Sequence, residues 1–381
     1  MRGGKRSGGR TRQRAAFGPL AVLVALLIGS VAAAGSQQGA ARERLDLRVF
    51  TRIGDPGEPE PIAIGSDRRV YVGTNQQGKG DAGAPSRIFA YSRAGRLLRQ
   101  YAVKGQDLGE DHGIQGIAFD AAGRLFALDR SADPRVIVID PKTGRQRTYA
   151  RFRDVPPCGQ AEGSRECSAT TADNPAGPDY AVFGPGGALY VTDIDQALIW
   201  RVARGGAEAS VWLTDPRFES VFGPNGIQLV DGGRSLLLAV TATFPSPSDP
   251  PASGALFKVR LRGPKRQAGP IEQFWRSRPV DGPDGFAVGR SGTVYLALAG
   301  ANQIAVISPD GEELARVPAN PAENAAMEIP LDGPASAAFL GRRILITNQS
   351  TAGNRSSWAV YDLYAGERGL PLFRPRIRPR S

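Results

Sequence analysis

One short unit recurs along this chain, and its register constrains the fold more than any other feature. Each copy is an apolar strand, a Gly-containing turn and a second strand with an aromatic or aliphatic residue. The copies read PIAIGSDRRVYVGT (61–74), GIAFDAAGRLFALD (116–129), YAVFGPGGALYVTD (180–193), GIQLVDGGRSLLLAV (226–240) and GFAVGRSGTVYLAL (285–298), with a degenerate sixth, ASAAFLGRRILITN (335–348). Counted from the residue just before each copy, Glu60 to Tyr71, Gln115 to Phe126, Asp179 to Tyr190, Asn225 to Leu236 and Asp284 to Tyr295 all span eleven steps. Equal spacing in copies 46 to 64 residues apart means one structural unit used repeatedly.

Third and fourth strands follow most copies, as in RIFAYS-RAG-RLLRQYAV (87–103) and QIAVIS-PDG-EELARV (303–317). Glycine in the intervening turns supplies the positive φ that a hairpin needs. Four antiparallel strands repeated at about fifty residues form a propeller blade. Six copies therefore predict an all-β, six-bladed β-propeller. The sixth copy offers only ASAAFL, RILITN and WAVYDLY (358–364) before running into Pro and Arg. Its fourth strand is expected from LDLRVFTRI (45–53), which would close the ring and remove an exposed edge. Composition agrees: 48 Gly and 30 Pro in 381 residues disfavour a coiled coil or helical bundle, and 41% apolar residues disfavour disorder.

A formal charge of +11 would suggest nucleic acid, but the basic residues sit at the ends. Residues 1–14 carry six basic side chains and no acid, and 374–381 carry Arg374, Arg376, Arg378 and Arg380. The span between is close to neutral, so no nucleic-acid partner is expected. The basic start runs into an apolar stretch (15–34) that ends in small residues (31–35). Two readings stay open, a cleaved secretory signal and an uncleaved membrane anchor. Both place the body outside the cytoplasm. The expected organisation is a signal or anchor (1–35), a linker (36–44), the propeller (45–365) and a solvated basic Pro/Arg-rich tail (366–381). Cys158 and Cys167, nine residues apart in an exported chain, are expected to form a local disulfide.

The first strand of each propeller blade lines the axis, and the residue before it sits at one mouth. The register therefore gathers Glu60, Gln115, Asp179, Asn225 and Asp284, with Ala335 or Ser336 from the sixth copy. Converging carboxylates repel and raise one another's pKa. A hard divalent cation relieves this, and Asp, Glu and Asn are the ligand types that Ca²⁺ takes. One His and two Cys cannot build a nitrogen–sulfur zinc site. The competing reading is that these acids bond backbone amides in turns. Asp193 and Asp195 reach the same side as ordinary turn acids. Two long inserts, NQQGKGDAGAPS (75–86) and TATFPSPSDPPASG (241–254), are expected to rim the mouth.

Pro224-Asn225-Gly226-Ile227, Pro283-Asp284-Gly285-Phe286 and Glu60-Pro61 give the chain a resemblance, over about residues 45–365, to the gluconolactonase/regucalcin (senescence marker protein) family. That family is similar in turn to paraoxonase and strictosidine-synthase-like propellers. The resemblance implies an axial divalent metal, most often Ca²⁺, held by Glu60, Asp179, Asn225 and Asp284. It also implies hydrolysis of a lactone or related ester, with Asp284 as the catalytic base or nucleophile. Three departures stand out. Glu60-Pro61 replaces the family's Glu-Gly-Pro, which leaves Glu58 as an alternative ligand. Asp179 replaces an Asn, and the position of the family's substrate-binding Arg falls on Gly177. His112-Gly113-Ile114 resembles the paraoxonase catalytic-His motif, so His112 is a second catalytic candidate, a general base near neutral pH; a loop His bonded to backbone is the other reading. The expectation is an exported, metal-dependent hydrolase with a small-molecule substrate, monomeric, touching a membrane only through an uncleaved N-terminal segment. The alternative is a non-catalytic binding propeller of the strictosidine-synthase-like or royal-jelly/yellow-like kind.

Overall fold

A computed structural model of the chain describes residues 42–76, 83–161, 166–170, 172–219, 222–242, 253–350 and 353–377. Residues 1–35, half of the first long insert (77–82) and most of the second (243–252) lie outside these. The described residues are almost wholly β, the one α-helix among them being the single turn Pro321–Ala325. After β1 (Leu47–Arg52) come two four-strand meanders: β2 (Glu58–Ile64), β3 (Val70–Gln76), β4 (Arg87–Tyr91) and β5 (Leu97–Ala102), then β6 (His112–Phe119), β7 (Leu125–Arg130), β8 (Arg135–Ile139) and β9 (Gln146–Arg151). A third set is β10 (Pro178–Phe183), β11 (Leu189–Asp193), β12 (Leu198–Val202) and β14 (Ser210–Thr214), with the two-residue β13 (Ala207–Glu208) between the last two. Next are β15 (Phe222–Val230), β16 (Ser235–Ala242), β17 (Ser253–Arg262) and β18 (Gln267–Pro279), followed by β19 (Pro283–Val288), β20 (Val294–Leu298), β21 (Gln303–Ile307) and β22 (Glu313–Val317). The series ends with β23 (Pro334–Leu340), β24 (Arg343–Asn348) and β25 (Ala359–Tyr364).

These strands build four separate four-stranded sheets and one of nine strands, in a propeller-like arrangement. The first strand of the chain completes the last sheet, in the order β1-β25-β24-β23. Arg42 fastens this closure through Asp362 Oδ1 at 2.7 Å and Asp46 Oδ2 at 2.8 Å, so the body begins inside the expected linker. The nine-stranded sheet departs from the expected separate blades. β3 pairs with β6, Asn75 opposite Gly113 and Gln76 opposite His112, and β13 adds in parallel to β9. Gly113 permits that approach, because a methyl there would meet Asn75 Oδ1 at 2.0 Å.

The inner strands β2, β6, β10, β15, β19 and β23 pack each on the next, and the last on the first. Apolar clusters fill every space between neighbouring four-strand units, the closing one setting Ile62, Val72 and Phe89 against Leu345, Trp358 and Val360. Tyr71, Phe126, Tyr190 and Tyr295 each face the next unit, as their shared register implies. Copy four corrects that register. Its turn is one residue longer, so Leu236 packs back on the preceding unit and Leu237 faces forward. One inserted residue reverses the facing of every strand residue beyond it.

The C-terminal segment is a second correction. Residues 366–377 are no solvated tail but strap the end of the ring where the inner strands exit. Gly369 bridges to Gly289, Leu370 N–H donates to Val288 O at 2.8 Å, and Ala121 N–H donates to Pro375 O at 2.9 Å. Glu367 accepts from Ser291 and Tyr295. Ile377 is 5% exposed, inside the cluster between the units of β6–β9 and β10–β14. Ile377→Ala is therefore expected to cost about 2 kcal/mol or more, read from urea denaturation of the full-length protein. Cys158 and Cys167 form the expected disulfide. No helix among the described residues is long and apolar enough to cross a membrane.

Candidate functional site

Every inner strand carries a register slip at the same place. It falls between Pro59 and Ile62, Ile114 and Gly116, Pro178 and Ala181, Pro224 and Ile227, Pro283 and Phe286, and Pro334 and Ala337. The residues in these slips are Glu60, Gln115, Asp179, Asn225, Asp284, and Ala335 with Ser336. A bulge breaks the two-residue alternation and re-aims side chains. Five of the six follow a proline, which has no N–H to give the ladder. Threonines on the second strands accept the N–H groups set free: Tyr180 N donates to Thr192 Oγ1 and Ser336 N to Thr347 Oγ1, both at 2.9 Å. Glu58 stands opposite Asn75, before the bulge, whereas Glu60 lies within it.

Glu60, Asp179, Asn225 and Asp284 are all less than 9% exposed. Tyr180 Oη donates to Asp284 Oδ1 at 3.4 Å and to Ala335 O at 3.3 Å. Asn225 Nδ2 donates to Thr241 Oγ1 at 3.0 Å, and Asn225 also bonds Asp284. Glu60 Oε2, Asp179 Oδ2 and Asn225 Oδ1 are buried without a hydrogen-bond partner. Burial pushes the Glu60 carboxyl well above the usual carboxylate range, and the charges of Asp284, Asp179 and Glu58 push it further. Burial and then Asp284 do the same to Asp179. Burial raises Asp284 to about 7, against hydrogen bonds from Gly285 N–H, Tyr180 and Asn225. The three acids thus sense one another across the axis.

As the side chains stand, no group of three or more His, Cys, Asp or Glu among the described residues is placed to hold a metal ion. The chemistry of the donors nonetheless fits a hard divalent cation. They are buried carboxylate and amide oxygens, three of them unpartnered, and Arg130 is the cation whose charge Glu60 and Asp179 both feel.

Glycine follows the bulge residue in three inner strands because a neighbouring inner strand or its side chain comes too close for a Cβ. A methyl on Gly116 would meet Asp179 O at 2.6 Å, one on Gly226 would meet Asp284 O at 2.6 Å, and one on Gly285 would meet Tyr180 Oη at 2.3 Å. Gly285→Ala is expected to push Tyr180 off Asp284 and destabilise the protein by about 1–3 kcal/mol, measured by denaturant unfolding.

His112 opens β6 and is 2% exposed. Its Nε2 lies 3.0 Å from Ala84 O. A carbonyl only accepts, so Nε2 donates to it, and Nδ1 is buried without a hydrogen-bond partner. His112 is therefore backbone-bonded and still has one free nitrogen. With Asn75, Arg130 and Asp195 it lines a mouth cavity of about 440 Å³. The four predicted metal ligands do not line that cavity, so His112 and Asp284 are not brought into one pocket. Asp193 is a turn acid, as expected. It accepts from the N–H groups of Gly177, Asp195 and Gln196 and from Trp200 Nε1. Sequence reasoning missed Arg130, which pairs with Asp195 at 2.7 Å. Asp195 Oδ2 stands 2.0 Å from where a Cβ on Gly177 would lie, so this pair fills the space that a longer residue 177 would need.

No protein-family model matches the chain, and no curated protein matches it. Solved structures do match its fold. The calcium-binding protein regucalcin from Agrobacterium tumefaciens is 17% identical, with 87% of this chain and 99% of that one covered and a TM-score of 0.55. A gluconolactonase from Xanthomonas campestris is 17% identical over 84% and 91% of the two chains, at a TM-score of 0.51. The PQQ-bound aldose sugar dehydrogenase of Streptomyces coelicolor is 14% identical over 83% and 97%, at 0.54. The chain is thus similar in fold to gluconolactonases and regucalcin, and to an enzyme of a different chemistry. Identity this low carries the fold alone.

Proposed function

We propose that this chain is an extracytoplasmic, six-bladed propeller that hydrolyses a lactone or related ester at a metal site on its axis. The blade count takes the two meanders of the nine-stranded sheet as separate blades, a reading supported by the closed ring of inner strands and the apolar cluster between each unit and the next. The observation that carries the function is the set of buried carboxylate and amide oxygens at four of the six equivalent bulges, three of them without a partner and the three acids mutually repelling.

Glu60, Asp179, Asn225 and Asp284 would hold a divalent cation, with Ca²⁺ the best match to an all-oxygen donor set. When bound, such a cation neutralises the acids and polarises a carbonyl oxygen. Asp284 is the base or nucleophile of this reading. Tyr180 keeps its carboxylate oriented, and Asn225 fixes it from the neighbouring blade. His112 lines the mouth cavity with its Nε2 held by Ala84 O, and it is the second catalytic candidate of this reading, a general base toward water. With Asp195 filling the space over Gly177, substrate recognition falls to Arg130 and the other mouth residues instead. The likeness to a gluconolactonase and to regucalcin supports the reaction class and the metal.

The test is a panel of lactones and aryl esters given to the full-length protein with Ca²⁺ and with a chelator. Hydrolysis that appears with Ca²⁺ and disappears with chelator is expected. Ca²⁺ binding with no turnover on any substrate would make this a binding propeller.

A further inference from the structure

The two ends of the axis differ in their titratable side chains. One end gathers Glu58, Glu60, Asp179 and Asp284. The other, where the inner strands exit, holds a cavity of about 460 Å³ with no acidic side chain in its lining. Its walls are apolar, among them Ile64, Phe119, Phe183, Phe286, Val288 and Phe339. Its remaining side is the C-terminal strap, and three arginines line it: Arg290, Arg368 and Arg374.

These arginines are placed for an anion. Arg290 and Arg368 are exposed, while Arg374 is partly buried, its guanidinium 5.8 Å from the Phe119 ring centre and donating to Ile64 O. Among the described residues none of the three has a carboxylate within ion-pair distance. Burial pulls Arg374 below its ordinary pKa, and Asp67 opposes this only by charge at a distance. A guanidinium drawn out of water without a counterion is costly. Its planar fork is also the side chain that best grips a carboxylate.

The geometry points to a second binding site, for an anionic amphiphile: a carboxylate with an aliphatic tail, the tail in the cavity and the head among the three arginines. The volume lies in the range of small-molecule pockets, and a mostly apolar wall with a few charged groups is their usual make-up. The cavity reaches inward to Tyr180 and Ser336 but shares no lining residue with the mouth cavity, and the site does not rest on the proposed hydrolysis.

The experiment is titration calorimetry on the full-length protein with sodium decanoate below its micellar concentration, alongside decan-1-ol and decyltrimethylammonium. One saturable site is expected, with decanoate about tenfold tighter than the alcohol or better and the ammonium not bound, the scale of one charge-assisted hydrogen bond. Arg374→Gln should weaken decanoate by about tenfold. Because that change also removes the bond from Arg374 to Ile64 O, the pair Arg290→Gln/Arg368→Gln, whose exposed side chains make no such bond among the described residues, serves as the second variant and should weaken it too. Arg130→Gln, in the mouth cavity at the other end of the axis, should leave decanoate binding unchanged. Equal binding of decanoate and decanol, no loss in the Arg290/Arg368 variant, or no saturable binding would each overturn the site. Phosphatidylglycerol vesicles supply the other source of this chemistry. Co-sedimentation with them, without saturable binding of free decanoate, would also overturn it and assign the arginines, with exposed Leu372 and Phe373, to a membrane-facing surface.

Discussion

Asp284→Asn is expected to make the metal-free protein harder to unfold while removing its Ca²⁺-dependent hydrolysis. Asp284 shares a buried space with Glu60 and Asp179, and burial has already raised it to about 7. The unfolded chain releases that proton near its ordinary value of 3.8. Between these limits the folded state binds more protons than the unfolded one, so its stability falls as pH rises. This contribution is complete below about pH 4 and is lost as pH climbs through about 7. Glu60 and Asp179 act in the same direction, and so does Asp193, which burial raises to about 6. Thermal melts in chelator should therefore decline from pH 5 to pH 8 in the wild type and decline less in the variant. Ca²⁺ should reverse the order: at a hundredfold excess over Kd it adds about 2.7 kcal/mol to a protein that binds it. The variant, short of one ligand, gains less, and its hydrolysis drops by about 10²-fold or more. A variant that melts lower than wild type in chelator would sink the account of a repelling cluster.

Asp281→Ala is expected to destabilise the protein by about 2 kcal/mol or more, because it removes the more buried of the two carboxylates that hold a buried cation. Arg316 is 7% exposed and Asp281 5%. Both guanidinium Nη atoms of Arg316 reach Asp281 at 2.8 Å, and Glu313 takes the rest of the fork at 2.8–3.0 Å. Asp281 Oδ2 also accepts from Arg278 N–H at 2.8 Å. The pair thereby fixes the bend that leads through Gly282 into Pro283 and Asp284. Removing both charges in Asp281→Leu/Arg316→Met should cost less than the single change, since no half-paired cation is then left inside. Urea unfolding of the three proteins measures this, and a single variant no worse than the double would contradict it. The single variant should also lose hydrolysis, through misplacement of Asp284.

Much of this was legible in the sequence because the repeat is written in residues with one physical job each. The apolar strands, the turn glycines and the aromatic residues at a fixed step locate the units, and the short sixth copy calls for the closing strand. The same step gathered Glu60, Asp179, Asn225 and Asp284. What escaped depended on contacts that pattern does not encode. The prolines before Glu60, Asp179, Asn225 and Asp284 mark bulges, yet a proline before a strand reads equally well as a plain strand start. The extra turn residue in copy four was hidden, because Leu236 and Leu237 are alike in kind. The path of residues 366–377 is set by backbone groups of Val288 and Ala121 and by single side-chain contacts such as Glu367 with Ser291 and Tyr295, which follow no repeat. Arg130 follows a strand end, as many surface arginines do, and only its pairing with Asp195 sets it apart.

The ring is closed by a strand made first and used last. Arg42 and Asp362, which clasp each other beside that closure, are 320 residues apart. At about 5–20 residues per second, a ribosome needs roughly 16–64 s to make the intervening chain. Throughout that interval β1 has no partner, and its unpaired edge is open to wrong neighbours. A chain halted shortly before residue 359 would contain nearly every other strand and still be an open arc. Completion of synthesis, more than any local step, sets the moment when this protein becomes a closed object.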